Sequence, residues 1–200
     1  KYASLFGLNE RTGIEIEEAA PQIANEFPVM AAIGQSNNNY TTVQLARYVT
    51  AVANEGTVYQ YTLLNRLEDS DGNVLQTFEP QVRNQIDVLD TEEWNAIHSG
   101  MRMVVENTKE FDGFPIEAAG KTGTAQQNLK RPNHALFVGY APYDDPEISI
   151  ATRIAYGYTS HNAAKLARNV FAYYFNVENE DELLNGQAAN GNSSSNEISD

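Results

Sequence analysis

The 200-residue chain predicts an α+β fold, an antiparallel sheet flanked by helices. Three observations predict it. Three strand-like runs succeed one another late in the chain with short connections, as in an antiparallel meander. Three stretches carry apolar residues at helical spacing. A hydrophobic content of 42% is enough for one packed core, while no apolar run approaches the length of a membrane span.

From the N-terminus, Phe6 to Ile16 reads as a loop or helix end leading into a short strand, with Gly7 and Gly13 as punctuation. Pro21 and Pro28 bracket an irregular segment, and Ile33-Gly34-Gln35 followed by three asparagines has a turn composition. Thr41 or Thr42 caps a helix running to about Asn54, with Leu45, Val49, Val52 and Ala53 on one face and Gly56 as its stop. Val58 to Leu67 and Val74 to Phe78 are strand-like, and the turn Asp69-Ser-Asp-Gly72 predicts a hairpin between them. Asp90 starts a second helix with Glu93 completing a capping box. Trp94, Ile97, Met101, Val104 and Val105 form its core stripe.

Ile116 to Gln126 is the first strand of the meander, His134 to Ala141 the second, and the alternation of Ile148, Ile150, Thr152 and Ile154 marks the third. Gln127 to Asn133 is a polar loop between the first two. Ser160 caps a closing helix whose face is Ala163, Leu166, Ala167, Val170, Phe171 and Tyr174. Residues 178–200 hold six acids, no base and no aromatic, which predicts a flexible acidic tail over about 177–200, partly helical near Glu180 to Leu184.

Twenty-seven acidic residues against thirteen basic ones leave a formal charge of −14. That balance argues against nucleic acid as a partner and against docking on anionic lipid, since both would repel the chain. The absence of cysteine fits an exported protein without disulfides. Lys1 is not an initiator methionine, so the chain is expected to be cut from a longer one with any membrane anchor upstream.

The stretch richest in chemistry is Gly120-Lys-Thr-Gly-Thr-Ala-Gln126. A phosphate-binding loop would need glycine at position 115, where the chain has Pro115, and a helix after Thr122, where the pattern is not helical. The plainer reading is an exposed edge strand. On a strand Thr122 and Thr124 share a side, so two hydroxyls suit one carboxylate. Lys121 adds positive charge, Gly123 clears room for a ligand's backbone, and the Thr124 N–H suits a developing oxyanion. Gln126 lies on the same strand. His98 and His161 fall on helices and His134 opens a strand, and each is expected to be structural.

Lys121-Thr-Gly is also one of the short motifs of penicillin-binding proteins and serine β-lactamases. Phe6-Gly-Leu with Thr12-Gly-Ile-Glu-Ile16, Ala32-Ile-Gly-Gln35 with Thr42-Val-Gln-Leu-Ala46, and Ala53-Asn-Glu-Gly-Thr-Val-Tyr59 follow in order. So do Asp71-Gly-Asn73, Gly100-Met-Arg-Met-Val-Val105, Ala135-Leu-Phe-Val-Gly-Tyr-Ala-Pro142 and Tyr173-Tyr-Phe175. This collinear set, over residues 1–176, resembles the C-terminal part of the transpeptidase domain of class B penicillin-binding proteins. The departures are local: Ser36 stands where glycine is frequent, Arg11 where proline is usual, and Glu17-Glu-Ala replaces a Pro-Gly-Glu.

The resemblance implies a partial penicillin-binding, serine β-lactamase-like domain with the Lys-Thr-Gly strand at one edge of the active-site cleft. It implies a serine D,D-transpeptidase that crosslinks peptidoglycan stem peptides through an acyl-enzyme on D-Ala-D-Ala and is acylated by β-lactams, with no cofactor or metal. Lys121 and the Thr124 N–H would serve catalysis, and Thr122, Gly123, Thr124 and Gln126 would bind substrate. No serine here is followed three places later by lysine, so the nucleophile is expected in the missing N-terminal half of the domain and this chain alone is expected to be inactive. Ser36-Asn-Asn38 spells Ser-x-Asn out of its usual order and is read as coincidence. The implied location is the extracytoplasmic face of the cell membrane, among the cell-wall synthesis machinery. The alternatives are a non-catalytic β-lactam sensor, a degenerate scaffold of the same fold, and a peptide-binding module using the strand edge.

Overall fold

The computed structural model describes residues 2–127, 130–179 and 183. Most of the tail expected over 177–200, with the helix expected near Glu180 to Leu184, lies outside those residues, as do Asn128 and Leu129 of the polar loop. In chain order the elements are α1 (Tyr2–Leu5), α2 (Pro28–Ala31), α3 (Thr42–Ala53), β1 (Thr57–Gln60), β2 (Arg66–Glu68), β3 (Val74–Thr77), β4 (Gln81–Gln85), α4 (Thr91–Glu106), β5 (Ala119–Ala125), β6 (His134–Ala141), β7 (Ile148–Ile154) and α5 (Ser160–Tyr174). The expected α+β architecture is present: β5, β6 and β7 form an antiparallel sheet in that order, with helices on both faces. No helix among the described residues is long and apolar enough to cross a membrane.

One face of this sheet is closed by α5. Ala163, Ala164, Ala167 and Phe171 pack with Phe111, Ala118, Ala135 and Phe137. The expected α5 stripe is therefore rotated: Leu166, Val170 and Tyr174 are 46%, 37% and 50% exposed. Alanines take the inner face because Phe137 and Phe111, ring centroids 5.7 Å apart, already fill the space between helix and sheet. The other face is covered at its lower end by α3, where Val49 meets Ala119 and Tyr140. Thr50 Oγ1 joins the Tyr61 hydroxyl and Ser149 Oγ, each at 2.6 Å. Along α4, Trp94 and Val105 are buried, but Ile97 of the expected stripe is exposed.

The caps follow local chemistry. Thr41 and Asp90 form capping boxes with Gln44 and Glu93. The cap of α5 is Thr159 rather than Ser160, which lies buried in the first turn. At the end of α3 the left-handed residue is Glu55 (φ 49°), and Gly56 follows it. The Glu55 and Gly56 N–H groups donate to Val52 and Ala51 carbonyls at 3.1 and 2.8 Å, a Schellman closure. Gly56 is still required: its φ is +100°, and a Cβ there would meet the Ile86 carbonyl at 2.7 Å.

The expected hairpin holds only in part. Arg66–Glu68 pairs with Val74–Thr77, but Thr57–Gln60 pairs with β4, a strand that sequence patterning missed. The break has a cause: the Glu15 carboxylate accepts the Leu63 N–H at 2.8 Å and the Thr62 hydroxyl, removing those residues from any ladder. The strand expected before Ile16 is absent because the Glu18 carboxylate takes the Thr12 N–H and hydroxyl at 2.7 and 2.9 Å. Buried Arg47 binds the same segment by donating to the Gly7 and Thr12 carbonyls, and Gln44 donates to the Glu10 carbonyl at 2.7 Å.

A Cβ on Gly120 would lie 2.3 Å from Phe137 Cζ and 2.8 Å from the Val138 carbonyl. Gly120→Ala is therefore expected to destabilise the chain by about 1–3 kcal/mol through overpacking, measured by chemical denaturation.

Candidate functional site

β5 is an outer strand of its sheet: it pairs with β6 on one side and, among the described residues, with no strand on the other. Such an edge presents N–H and C=O groups to whatever lies beside it. Register is continuous, with Lys121 opposite Val138, Thr122 opposite Phe137, Gly123 opposite Leu136 and Thr124 opposite Ala135. Strand alternation puts Gly120, Thr122 and Thr124 on the α5 face and Lys121, Gly123 and Ala125 on the α3 face. Ala119 and Gly120 are buried, so the strand enters from the core. Thr122, Gly123 and Thr124 are half-buried, Lys121 is exposed, and Gln126 is exposed just past the strand end. Lys121 Nζ donates to the Thr122 carbonyl at 2.8 Å.

The glycines of this strand are there for different reasons. Gly120 is demanded by Phe137. Gly123 is not demanded by anything among the described residues: of these, a Cβ there would meet only Leu136 Cβ at 3.5 Å, an ordinary contact, and its φ is not positive. The space beside Gly123 is thus open.

Two tethers fix the strand's ends. At the start, Arg102 of α4 donates to the Ala118 carbonyl at 3.3 Å and pairs with Glu117 at 3.2 Å and Glu106 at 3.5 Å. At the far end, Gln35 Nε2 donates to the Thr124 carbonyl at 3.3 Å. The sequence set Gln35 in a turn and in the Ile-Gly-Gln block of the resemblance; no periodicity marks a contact across 89 positions. Ser36 Oγ donates to Asn37 Oδ1 at 3.1 Å, and Asn37 in turn pairs with Asn25 at 2.6 Å. The asparagine run is thus occupied in holding its own loop.

The histidines have structural partners. His98 Nε2 contacts the Val52 carbonyl at 2.8 Å, and its ring lies edge-on to Tyr140. His161 Nδ1 meets Glu110 at 2.8 Å. Buried His134 sits opposite Ala125, one position from Thr124, and its Nδ1 accepts the Tyr156 N–H at 3.1 Å. A neutral ring holding that bond carries its proton on Nε2, which faces Arg153 Nη2 at 3.4 Å, donor to donor. Burial and then the Arg153 charge hold the imidazole below its ordinary pKa. Two concavities, about 470 and 300 Å³, lie elsewhere, one beside Glu10 and Arg83 and one beside Ile23 and Tyr40. Neither is lined by β5.

The chain matches the penicillin binding protein transpeptidase domain family over residues 1–172. It is 27% identical to penicillin-binding protein 2A of Bacillus subtilis over 94% of this chain and 30% of that protein. It is 32% identical to the peptidoglycan D,D-transpeptidase MrdA of Haemophilus influenzae over 86% of this chain and 31% of that protein. The chain therefore spans less than a third of these relatives. Among solved structures it resembles penicillin-binding protein 2B of Streptococcus pneumoniae strain R6, with a TM-score of 0.76 at 24% identity over 88% of this chain and 32% of that one. It also resembles an imipenem acyl-enzyme complex of penicillin-binding protein A from Mycobacterium tuberculosis, with a TM-score of 0.74 at 22% identity over 86% and 40%. These two likenesses concern the fold.

His134 yields a pH prediction. An unfolded imidazole takes its proton near pH 6.5, whereas the folded one takes it only at lower pH. Between the two values the unfolded state binds more protons, so stability falls as pH drops through that window. Wild type is expected to lose thermal stability as pH falls below about 6.5 relative to His134→Asn, whose side-chain oxygen replaces the Nδ1 acceptor without titrating.

Proposed function

This chain belongs to the class B penicillin-binding protein transpeptidase family, and on that premise we propose that it supplies the substrate-binding edge strand of a peptidoglycan D,D-transpeptidase. The observation that carries the proposal is Gly123: a glycine that its own packing does not require, on an edge strand with no partner strand among the described residues, flanked by two threonines and a lysine. A stem peptide ending in D-Ala-D-Ala, or a β-lactam of similar shape, lies along that edge with its backbone in the space beside Gly123. Thr122 and Thr124 hold its carboxylate through their hydroxyls, and Lys121 lowers the cost of bringing that charge into the cleft. Gln126 contacts the ligand beyond the strand end.

The reaction is acyl transfer. A serine hydroxyl attacks the carbonyl between the two D-alanines, the C–N bond breaks, and D-Ala leaves with the proton. An amine of a neighbouring stem then attacks the ester and releases the serine. The Thr124 N–H donates to the oxyanion of each tetrahedral intermediate. A strand residue's N–H and C=O project to the same side. The Gln35 contact reaches the Thr124 carbonyl from outside the sheet, which supports an outward-facing Thr124 N–H. The serine and its lysine come from a segment of the same domain that carries Ser-x-x-Lys, a pattern this chain lacks. The full-length protein works at the extracytoplasmic face of the cell membrane with the cell-wall synthesis machinery.

Intact mass after penicillin treatment tests the division of labour. The full-length gene product is expected to gain one penicillin mass and this chain none. Labelling of this chain would make one of its own serines, Ser36 first, the nucleophile. Absence of label on both would favour a degenerate scaffold. In the full-length product, Thr122→Val and Thr124→Val are each expected to lower acylation efficiency about 10- to 100-fold, the worth of one hydrogen bond to a charged group. Lys121→Met is expected to cost at least as much. Stopped-flow or gel-based labelling with a fluorescent penicillin reads these losses.

A further inference from the structure

The loop between α2 and α3 reaches β5 through a hydrogen bond from a single side chain, Gln35, among the described residues. That loop is built to hold Gln35 still. Its own N–H donates to the Met30 carbonyl at 3.0 Å, and Gly34 before it turns the chain at φ 77°. Gln22 and Asn39 exchange two backbone bonds of 2.8 Å across the loop's base. The Asn37 side chain bridges to Asn25, and the Thr41 capping box anchors the exit into α3. Gln35 is half-buried, and its carboxamide points at the Thr124 carbonyl. Thr124 needs such a hold. It lies next to the last residue of a strand laddered on one side only, where end residues fray most easily.

We infer that Gln35 is a positioning residue that sets the backbone orientation of Thr124, and so the aim of its N–H, for the acylation step. The inference rests on the role proposed above for Thr124. Gln35 holds the Thr124 carbonyl, on the peptide plane that follows the one carrying the Thr124 N–H, and so limits rotation of Thr124 about its own backbone bonds. Its effect therefore falls on the chemical step more than on ligand capture, because the oxyanion exists only after attack has begun.

The test uses the full-length gene product and a fluorescent penicillin, with labelling resolved into the dissociation constant of the first complex and the rate constant of acylation. Gln35→Glu keeps the shape but turns an acceptor oxygen toward the Thr124 carbonyl; Gln35→Ala removes the group. Both are expected to slow acylation about tenfold, the net worth of one hydrogen bond, with the dissociation constant and the melting temperature little changed. The Glu variant is further expected to recover toward the wild-type rate as pH falls to about 4.5, since a protonated carboxyl donates again; a merely structural residue would show no such rescue. Hydrogen exchange over residues 119–126, measured without penicillin, is expected to quicken in both variants. Unchanged acylation rates, or exchange as slow as in wild type, would overturn the inference. If wild type itself takes no label, the reading of Thr124 falls first; the exchange data then still report whether Gln35 holds the strand.

Discussion

The packing of Phe137 over two glycines is the constraint on which the rest of the structure depends. Its ring occupies the space in which Gly120 and Gly139 would carry side chains, with ring atoms at 2.3 and 2.7 Å from those empty positions. Gly120 and Gly139 face each other across β5 and β6, so the ring locks the register of that pair. A slip by one residue would turn Lys121 into the aromatic layer and Gly120 away from it, which no neighbouring group could offset. The position of Thr122 and Thr124 along the sheet edge is thus set by a contact inside the core. The same ring explains why α5 presents alanines inward and leaves Leu166 and Tyr174 to its outer side.

A second layer of order is polar. Glu15 and Glu18 each capture backbone N–H groups that an extended chain would place in a sheet, and Thr41 donates to Glu18 at 2.9 Å. Arg47 sits buried among carbonyl oxygens, with its Nε unpartnered among the described residues and the Glu10 and Glu18 charges offsetting part of its burial. Glu10 is itself gripped by Arg83 through two bonds of 2.6 and 2.7 Å, which holds its carboxyl below the usual range. The first forty residues contribute little to the sheet, yet this network orients them so that the Gln35 loop meets β5. An acidic chain therefore uses several of its carboxylates as backbone acceptors, where bonds to a charged group are stronger than neutral ones.

The candidate site combines a rigid interior end and an accessible exterior end of one strand. Arg102 and Phe137 hold the part of β5 that enters the core, while the outer part keeps an open edge and room beside Gly123. Rigid support under an exposed row of donors suits electrostatic stabilisation of a developing charge, since the donors need not reorganise as the charge appears.

Much was legible in the sequence because the deciding forces were local. The cap at Thr41 or Thr42, the capping box at Asp90, the meander of β5 to β7 and the Lys-Thr-Gly strand all follow from residues within a few positions of one another. Helix existence was readable, but the buried side of α5 was not, because several faces were apolar and the sheet opposite decided which one fitted. The strand expected from Val58 to Leu67 broke because Glu15, far off in sequence, took the N–H groups in its middle. β4 escaped notice because Gln81–Gln85 lacks alternation and gains its pairing from β1 alone. The sequence by itself determined the three long helices, the β5 to β7 meander, the family and the chemical row from Lys121 to Gln126. Tertiary structure alone decided which glycine serves packing and which leaves space, that Arg47 and Gln44 turn inward, and that Gln35 meets Thr124. Those outcomes depend on contacts between segments far apart in the chain, for which short-range patterns carry no signal.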